Sequence, residues 1–359
     1  MRKKIAVGIS GGVDSAVSAA LLKRSGDFDV VGVYLHCFPE SFQKTLSCTD
    51  KEDFKTAQEV AKSLDIPFTF FDFEKEYQEK VIDYFFHEYQ AGRTPNPDAV
   101  CNREIKFGLF LEKARKDLEA DFIATGHYAQ VKSNHSYHLL SGKDETKDQS
   151  YFLYNLSQEQ LGRAVFPIGN YLKKEVRQMA KGFGLPNWAR KDSQGICFLG
   201  KVSVKKFLEQ RIEPKKGEVV DKNGQAIGEH EGIWFHTIGQ RHGFKITKNI
   251  KERVENHIIL PLYVIDKDIE NNRLIVGWGK ECEKDRFEVE KINWINKPSE
   301  QAISCLVRIR HLGQLYPCEI KINNGKTEVI LDESAWGIAP GQVAVFYKET
   351  EVLGGGIIV

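Results

Sequence analysis

Short apolar runs alternate with helical patterns through the first half of the chain. Ile5–Ser10, Val30–Leu35, Pro67–Phe73 and Phe122–His127 read as strands, and Ser15–Arg24, Lys51–Leu64, Tyr77–Tyr89 and Ala99–Leu118 carry apolar residues at helical spacing. Such alternation predicts a parallel sheet covered on both faces, with ligands bound beyond the carboxyl ends of its strands. One more helix is predicted over Lys173–Lys181, ended by Gly182 and by Gly184-Leu185-Pro186. Near residue 200 the pattern shortens to brief β segments between glycine turns, at Gly217-Glu-Val-Val, Gly232-Ile-Trp-Phe, Leu262-Tyr-Val-Ile-Asp and Leu274-Ile-Val-Gly. From about residue 285 it is almost wholly β: Phe287–Ile292, Ala302–Ile309, Cys318–Ile322, Thr327–Leu331, Val343–Tyr347 and Val352–Ile358, with Asn323-Asn324-Gly325 as a hairpin turn. The pattern predicts an α/β domain over residues 1–200, a small β-rich domain over 201–283, and an all-β domain, barrel or sandwich, over 284–359.

The 359 residues, 41% hydrophobic and 28% charged, have ample material for a packed core and a soluble surface, and suit two or three domains at roughly 150 residues each. A net charge of +1 excludes a protein that grips polyanions over its whole surface. It leaves room for local patches, and Lys201–Lys216 is one, with six basic and two acidic residues and a local net charge of +4. No apolar run approaches the roughly 20 residues that cross a bilayer, and the short run after Met1 ends in glycines rather than in a signal-peptide core. A soluble, cytosolic location is expected.

The first strand leads directly into Gly8-Ile9-Ser10-Gly11-Gly12-Val13-Asp14-Ser15, and a helix follows at once. Glycines at such a junction let backbone N–H groups converge on an anion, and the helix N-terminus adds about 0.3–1 kcal/mol of attraction. The hydroxyls of Ser10 and Ser15 are further donors. The Gly-Lys-Ser/Thr ending that cradles β- and γ-phosphates is missing, which argues against transfer of a terminal phosphate. The full Ser-Gly-Gly-Val-Asp-Ser string resembles the pyrophosphate loop of the N-type ATP pyrophosphatases, which cleave ATP between the α- and β-phosphates and adenylate a substrate oxygen. In that resemblance Asp14 is a candidate contact for Mg²⁺, direct or through water.

The seven cysteines, Cys37, Cys48, Cys101, Cys197, Cys282, Cys305 and Cys318, are odd in number and contain no Cys-x-x-Cys pair. A disulfide scaffold or zinc ribbon is therefore not expected, and most of them read as small buried apolar residues. Cys101 and Cys197 stand apart because turn-forming and polar residues surround them, in Pro95-Asn-Pro-Asp-Ala-Val-Cys101-Asn and Asp192-Ser-Gln-Gly-Ile-Cys197-Phe, a setting for exposed reactive thiols. Asp98 is expected to N-cap a helix beginning at Ala99, which places Cys101 in the first turn. There the helix field, Arg103 and Lys106 would lower its pKa below the usual value of about 8.5. Cys197 lies 96 residues further on, in a loop with Gly195 and Gly200. Two activatable thiols together with an adenylating loop point to sulfur insertion. A carbonyl oxygen leaves only once adenylated, a cysteine persulfide can bring the sulfur, and a second thiol can break the sulfur–sulfur bond by exchange.

The same order of motifs extends along the chain: Ser10–Ser15, Thr94–Asp98 with Cys101-Asn102, Ala124-Thr-Gly-His-Tyr128, Lys147-Asp-Gln-Ser-Tyr-Phe-Leu-Tyr154, Val165-Phe-Pro-Ile-Gly169, Lys191–Gly200, Thr237-Ile-Gly-Gln-Arg241 and Pro340-Gly-Gln342. On these residues the chain resembles the MnmA family of tRNA-specific 2-thiouridylases over nearly its whole length. The resemblance implies an adenine-nucleotide α-hydrolase-like parallel sheet, a small β-rich domain and a C-terminal β-barrel. It implies an ATP- and Mg²⁺-using sulfurtransferase that adenylates O2 of the wobble uridine in tRNAs for Lys, Glu and Gln, releases AMP and pyrophosphate, and replaces that oxygen with sulfur. By it Cys197 would carry the persulfide, Cys101 would be the second catalytic thiol and form a disulfide with Cys197, and Asp98 would be the acid/base. Asn96, Pro97 and Asp98 would surround the flipped base. Gly8, Ile9, Ser10, Gly11, Gly12, Val13, Asp14, Ser15, Leu35 and Gly126 would line the ATP site. His127, Lys147, Asp148, Gln149, Arg310, His311 and Gln342 would touch tRNA, and a cysteine desulfurase or sulfur-relay protein would be the sulfur donor.

The chain departs from the family's pattern at three places: the loop after Leu35 is short, Lys245–Leu260 is longer and more charged, and Arg310-His311 stands where the family has Arg-Tyr. A histidine there can still stack on a base or meet a phosphate. Two other readings compete. An amide-forming synthetase or a tRNA lysidine synthetase would use the loop but needs no paired thiols. A non-catalytic RNA-binding module would use Lys201–Lys216 but leaves the loop without a purpose.

Overall fold

The structure, a computed structural model, describes residues 2–39, 50–192, 203–248, 254–255, 258–299, 302–323 and 326–359. Its first body is a five-stranded parallel sheet in the order β3-β2-β1-β4-β7, built from β1 (Lys3–Gly8), β2 (Phe28–His36), β3 (Phe68–Asp72), β4 (Phe122–Ala124) and β7 (Ala164–Val165). The two-residue period of β1 explains why both faces are covered. Ile5 and Val7 face the core packed by α1 (Val13–Ser25), α2 (Asp50–Ser63) and α5 (Lys173–Gly182), while Ala6 faces the opposite core. That second core is filled by Val81 and Ile82 of α3 (residues 74–90) and by Ile105, Phe107 and Phe110 of α4 (residues 97–118). Both of these helices contain a π-helical stretch, Gln78–Ile82 in α3 and Cys101–Leu109 in α4.

The middle body is a second sheet in the order β10-β9-β8-β12-β11, from β8 (Gly217–Val220), β9 (Ala226–His230), β10 (Phe244–Ile246), β11 (Leu262–Asp268) and β12 (Arg273–Trp278). The segment at 232–235, expected to be β, is instead a 3₁₀ turn over Ile233–Phe235. Ile233 enters the small core of this sheet, whereas Trp234 and Phe235 both pack against the α/β core, which strand alternation cannot do.

The last body is a closed barrel. β13 (Glu283–Trp294), β16 (Lys326–Trp336), β15 (Tyr316–Asn323), β14 (Ala302–Arg308), β17 (Val343–Lys348) and β18 (Glu351–Ile358) pair antiparallel in that order, and β18 returns to β13. Closure removes the open edges that an all-β sheet would expose. The expected succession of α/β sheet, small β-rich body and β-barrel is thus observed. An unexpected hairpin of the first body, β5 (Ala129–Asn134) and β6 (Ser136–Ser141), extends the barrel sheet by pairing Leu139 and Leu140 with Val352 and Glu351. Leu139, Tyr151 and Leu156 share one apolar cluster with Val343, Tyr347 and Val352, so the barrel is anchored to the α/β body through a common core. Among the described residues no helix is long and apolar enough to cross a membrane.

Candidate active site

β1 delivers Gly8 at its carboxyl end, and residues 9–12 turn into α1. The N–H of Ser10 donates to Ser15 Oγ at 3.2 Å, the two serine hydroxyls lie 3.3 Å apart, and the Ser15 hydroxyl donates to the Gly12 carbonyl at 3.1 Å. Gly11 has a φ of +79°, and a Cβ there would sit 2.7 Å from the Asp53 carbonyl oxygen. Gly126, just past β4, approaches α1 so closely that a Cβ would lie 2.6 Å from the Ser15 nitrogen. The N-cap of α1 is Gly12, with no side-chain capping bond, so no side chain competes with a ligand for the first-turn N–H groups of this 13-residue helix. A bare glycine cradle at a helix start fits the phosphates of ATP. The Asp14 carboxylate, a hard oxygen donor in the first turn, fits the magnesium ion that travels with it. Leu35, half-buried, stands near the carboxyl end of β2 and packs against the second core.

A charged network surrounds this cradle. Asp14 accepts a hydrogen bond from the Tyr128 hydroxyl at 2.9 Å, and both its oxygens meet Lys173 Nζ, at 2.7 and 2.8 Å. Lys173 also reaches Asp192 at 2.9 Å, and Asp192 in turn meets Arg177 and, at 3.3 Å, Lys147. Asn187 and Arg190 donate to the Gly11 carbonyl at 2.8 and 3.2 Å, and Arg190 pairs with Asp53. Burial, and then the Asp14 charge, push the Tyr128 phenol well above its ordinary pKa, so it remains a hydrogen-bond donor. Burial alone would raise Asp192, but the hydrogen bond and charge of Lys173, with Arg177 and Lys147, hold it below the usual carboxylate range. Sequence reading gave no role to Lys173, Asn187, Arg190 or Asp192. Lys173 opens a predicted helix and Asp192 precedes the Cys197 loop, but only the fold brings them to the loop at residue 11.

At the thiol end, two expectations need correction. Asn96, not Asp98, caps α4: its Oδ1 accepts from the Ala99 N–H at 3.1 Å, and Pro97 is the first helical residue. Proline suits that position because its φ is preset and its missing N–H would have no helical partner. Asp98 is therefore inside the helix, half-buried, with its carboxylate not committed to the cap. Cys101, expected to be an exposed first-turn thiol, is buried with 4% exposure and begins the π-helical stretch. Moving the helix start upstream carries Cys101 past the first turn, and the side chain joins the second core.

The segment leading into this helix is held from three directions. The Thr94 N–H donates to the Pro340 carbonyl at 2.8 Å, and the Gln342 amide donates to the carbonyls of Thr94 and Pro95 at 3.1 and 3.4 Å. Thr237 of the middle body shares a 3.1 Å hydroxyl hydrogen bond with Thr94, and Glu88 receives a two-pronged contact from Arg93 at 2.6 Å on each arm. Three motifs far apart in the chain, Thr94–Asp98, Thr237–Arg241 and Pro340–Gln342, thus meet at one residue.

The other residues expected to touch tRNA occupy varied settings. His127 is buried between the rings of Phe107 and Phe166, shares a 2.7 Å hydrogen bond with Thr125, and is kept neutral by burial and then by Lys106. Asp148 is 1% exposed and accepts from Gly142, Ser150 and, at 3.0 Å, Arg308. The Gln149 side chain accepts from the Tyr128 N–H at 3.1 Å. Arg310 is exposed and donates to the Gly337 carbonyl at 2.7 Å, while the His311 ring packs tilted against Phe152 at 4.3 Å with its pKa pushed down to about 4 by burial. Within the basic segment, Lys205 pairs with Glu231 and Arg211 with Asp83, which offsets part of its charge at the surface. Cys48, Cys197 and residues 193–202 lie outside the described residues.

Residues 3–201 match the family described as tRNA methyl transferase HUP domain, residues 205–278 the tRNA methyl transferase PRC-barrel domain, and residues 284–358 the aminomethyltransferase beta-barrel domain. The chain is 43% identical to the tRNA-specific 2-thiouridylase MnmA of Streptococcus thermophilus, over 99% of this chain and 95% of that protein. It is also 43% identical to the protein of the same name from Francisella philomiragia, over 99% of each. Among solved structures, the U34-tRNA thiolase NcsA of Methanococcus maripaludis covers 58% of this chain and 62% of its own at 17% identity. The TM-score of that match is 0.36.

Proposed function

The chain belongs to the MnmA family of tRNA-specific 2-thiouridylases, and from that premise we propose how its residues divide the reaction. The protein is a sulfurtransferase that uses ATP to adenylate the wobble uridine of tRNA and then replaces the activated oxygen with sulfur. Residues 8–15, Leu35 and Gly126 hold the nucleotide, and Asp14 would hold the magnesium ion, directly or through water, which when bound would offset phosphate charge. Asn96, Pro97 and Asp98 receive the flipped uracil, and Asp98 moves the proton at the base as O2 attacks the α-phosphorus and pyrophosphate departs. The terminal sulfur of a persulfide on Cys197 then attacks C2, and AMP leaves. The Cys101 thiolate attacks the Cys197 sulfur, breaks its bond to the transferred atom and closes a Cys101–Cys197 disulfide. Burial of Cys101 keeps that thiol away from adventitious oxidants.

His127, Lys147, Asp148, Gln149, Arg310, His311 and Gln342 belong to the tRNA side, some by contact and some, such as the buried Asp148, through the residues they position. The domain limits in this reading are 1–200, 201–283 and 284–359. The tRNAs for Lys, Glu and Gln are the substrates, a cysteine desulfurase or relay protein is the donor, and the cytosol is the site of action. The observation that carries the reading is the meeting of three bodies at Thr94, immediately before the residues assigned to the base. Its test is Cys197→Ser in a purified assay. ATP-dependent pyrophosphate release on tRNA is expected to persist while thiolated nucleoside disappears, and thiolated product from that variant refutes the persulfide assignment.

A further inference from the structure

Cys305 of β14 and Cys318 of β15 stand in direct register, and their Sγ atoms are 3.6 Å apart. Antiparallel partners in register have Cα atoms about 4.5–5.5 Å apart, inside the range of about 4.4–6.8 Å that a disulfide spans. Both strands belong to a closed barrel, so this spacing is imposed by the fold. The two thiols are not equivalent: Cys305 is half-buried and Cys318 buried. The hydrogen bond with Cys305, followed by burial, pushes the Cys318 thiol above its ordinary pKa, so it waits protonated behind its more accessible partner. The thiolation chemistry uses neither. β14 ends at Arg308 and β15 begins at Tyr316, so the pair lies in the hairpin whose turn carries Arg310 and His311, with Leu306–Pro317 and Val307–Tyr316 paired between it and the turn.

We propose that Cys305 and Cys318 form a second redox-active dithiol, which closes into a cross-strand disulfide by exchange with a low-molecular-weight disulfide and thereby weakens tRNA binding at the turn above it. Cys305 loses its proton to solvent and attacks one sulfur of glutathione disulfide, breaking that bond and releasing one glutathione thiolate. Cys318 then attacks the Cys305 sulfur of the mixed disulfide, its proton passing to the departing second glutathione. Two protein sulfurs are oxidised, one glutathione disulfide is reduced to two thiols, and no other reactant is required. Bond formation draws the two sulfurs from 3.6 Å to about 2.05 Å by side-chain rotation and locks β14 to β15 in the hairpin whose turn carries Arg310 and His311.

The cross-linking step stands apart from the proposed catalytic roles; the effect on tRNA rests on them. Full-length protein carrying Cys101→Ser and Cys197→Ser, equilibrated in glutathione redox buffers, alkylated and digested, is expected to yield a linked peptide pair containing Cys305 and Cys318. With Cys318→Ser added, the reaction is expected to stop at a glutathione adduct on Cys305. Recovery of both cysteines in alkylated form from fully oxidised glutathione overturns the dithiol. Filter binding of tRNA is expected to be about threefold or more weaker for the cross-linked protein, and unchanged by the same treatment when Cys305→Ser is present. Equal affinity of the cross-linked and reduced forms overturns control of tRNA binding while leaving the disulfide standing.

Discussion

The nucleotide end and the base end of this site are built in different ways. The cradle at residues 8–15 comes from one strand–loop–helix unit, closed over by Gly126, Lys173, Asn187 and Arg190 of the same α/β body. The base end has a helix start of its own, but the segment leading into it is fixed by Thr237 from the middle sheet and by Pro340 and Gln342 from the barrel. Under the proposed assignment, ATP binding is a property of one body, whereas presentation of the uracil draws on all three. Substitutions at the two ends should separate kinetically, ATP parameters moving alone at one and tRNA parameters at the other.

The largest effect is expected for Asp98→Asn. Removing the group proposed to transfer the proton should lower the single-turnover rate of thiolation by about 10²–10⁴. Because Asn96 supplies the cap, the helix start should survive the substitution, without the loss of about 0.5–2 kcal/mol that removal of a cap would bring. A variant with near wild-type turnover takes Asp98 out of the chemistry, and a large fall in melting temperature returns it to a structural role. Lys173→Met comes next. It removes the ammonium shared by Asp14 and Asp192 at the mouth of the cradle, and the KM for ATP should rise about tenfold with tRNA affinity unchanged. A parallel loss of tRNA affinity would mean the two ends are not separate. Gln342→Ala tests the other side. Loss of its bonds to Thr94 and Pro95 should cost about 1 kcal/mol, read as a roughly fivefold fall in kcat/KM for tRNA at constant KM for ATP.

What was legible in the sequence follows the same division. The cradle is local: glycines, serines and a following helix sit in one run of eight residues, so pattern and chemistry could be read together, and the parallel sheet and barrel followed from strand periodicity. The helix at Cys101 was seen, but its start was misplaced because Asn96 and Asp98 are both good caps, and only the preset φ of Pro97 decides between them. The hairpin Ala129–Ser141 leaves no clear apolar alternation in the sequence, because its strands are largely polar and its lateral partner β18 is distant in the chain. Lys173 and Asp192 were missed because an ion network between residues 14, 173 and 192 leaves no periodic trace.

The smallest expected effect concerns how the base end is stiffened. Arg93 precedes Thr94 directly, and its fork on the buried Glu88 carboxylate holds that carboxyl below its ordinary pKa, against the opposing effect of burial. A carboxyl depressed in the folded state stabilises the fold above its unfolded pKa of about 4.3, and that contribution disappears as pH falls through the lower folded value. Arg93 is partly exposed, so solvent screening limits the pair to about 1 kcal/mol. Glu88→Gln should therefore melt below wild type at pH 7, and the gap should narrow as pH drops below about 4.3, since wild type alone loses the charge. A gap that stays constant from pH 7 to pH 3 assigns the loss to packing rather than to the ion pair. At pH 7 the same variant should raise the KM for tRNA slightly and leave ATP untouched, because Glu88 reaches the reaction only through the segment that positions the base.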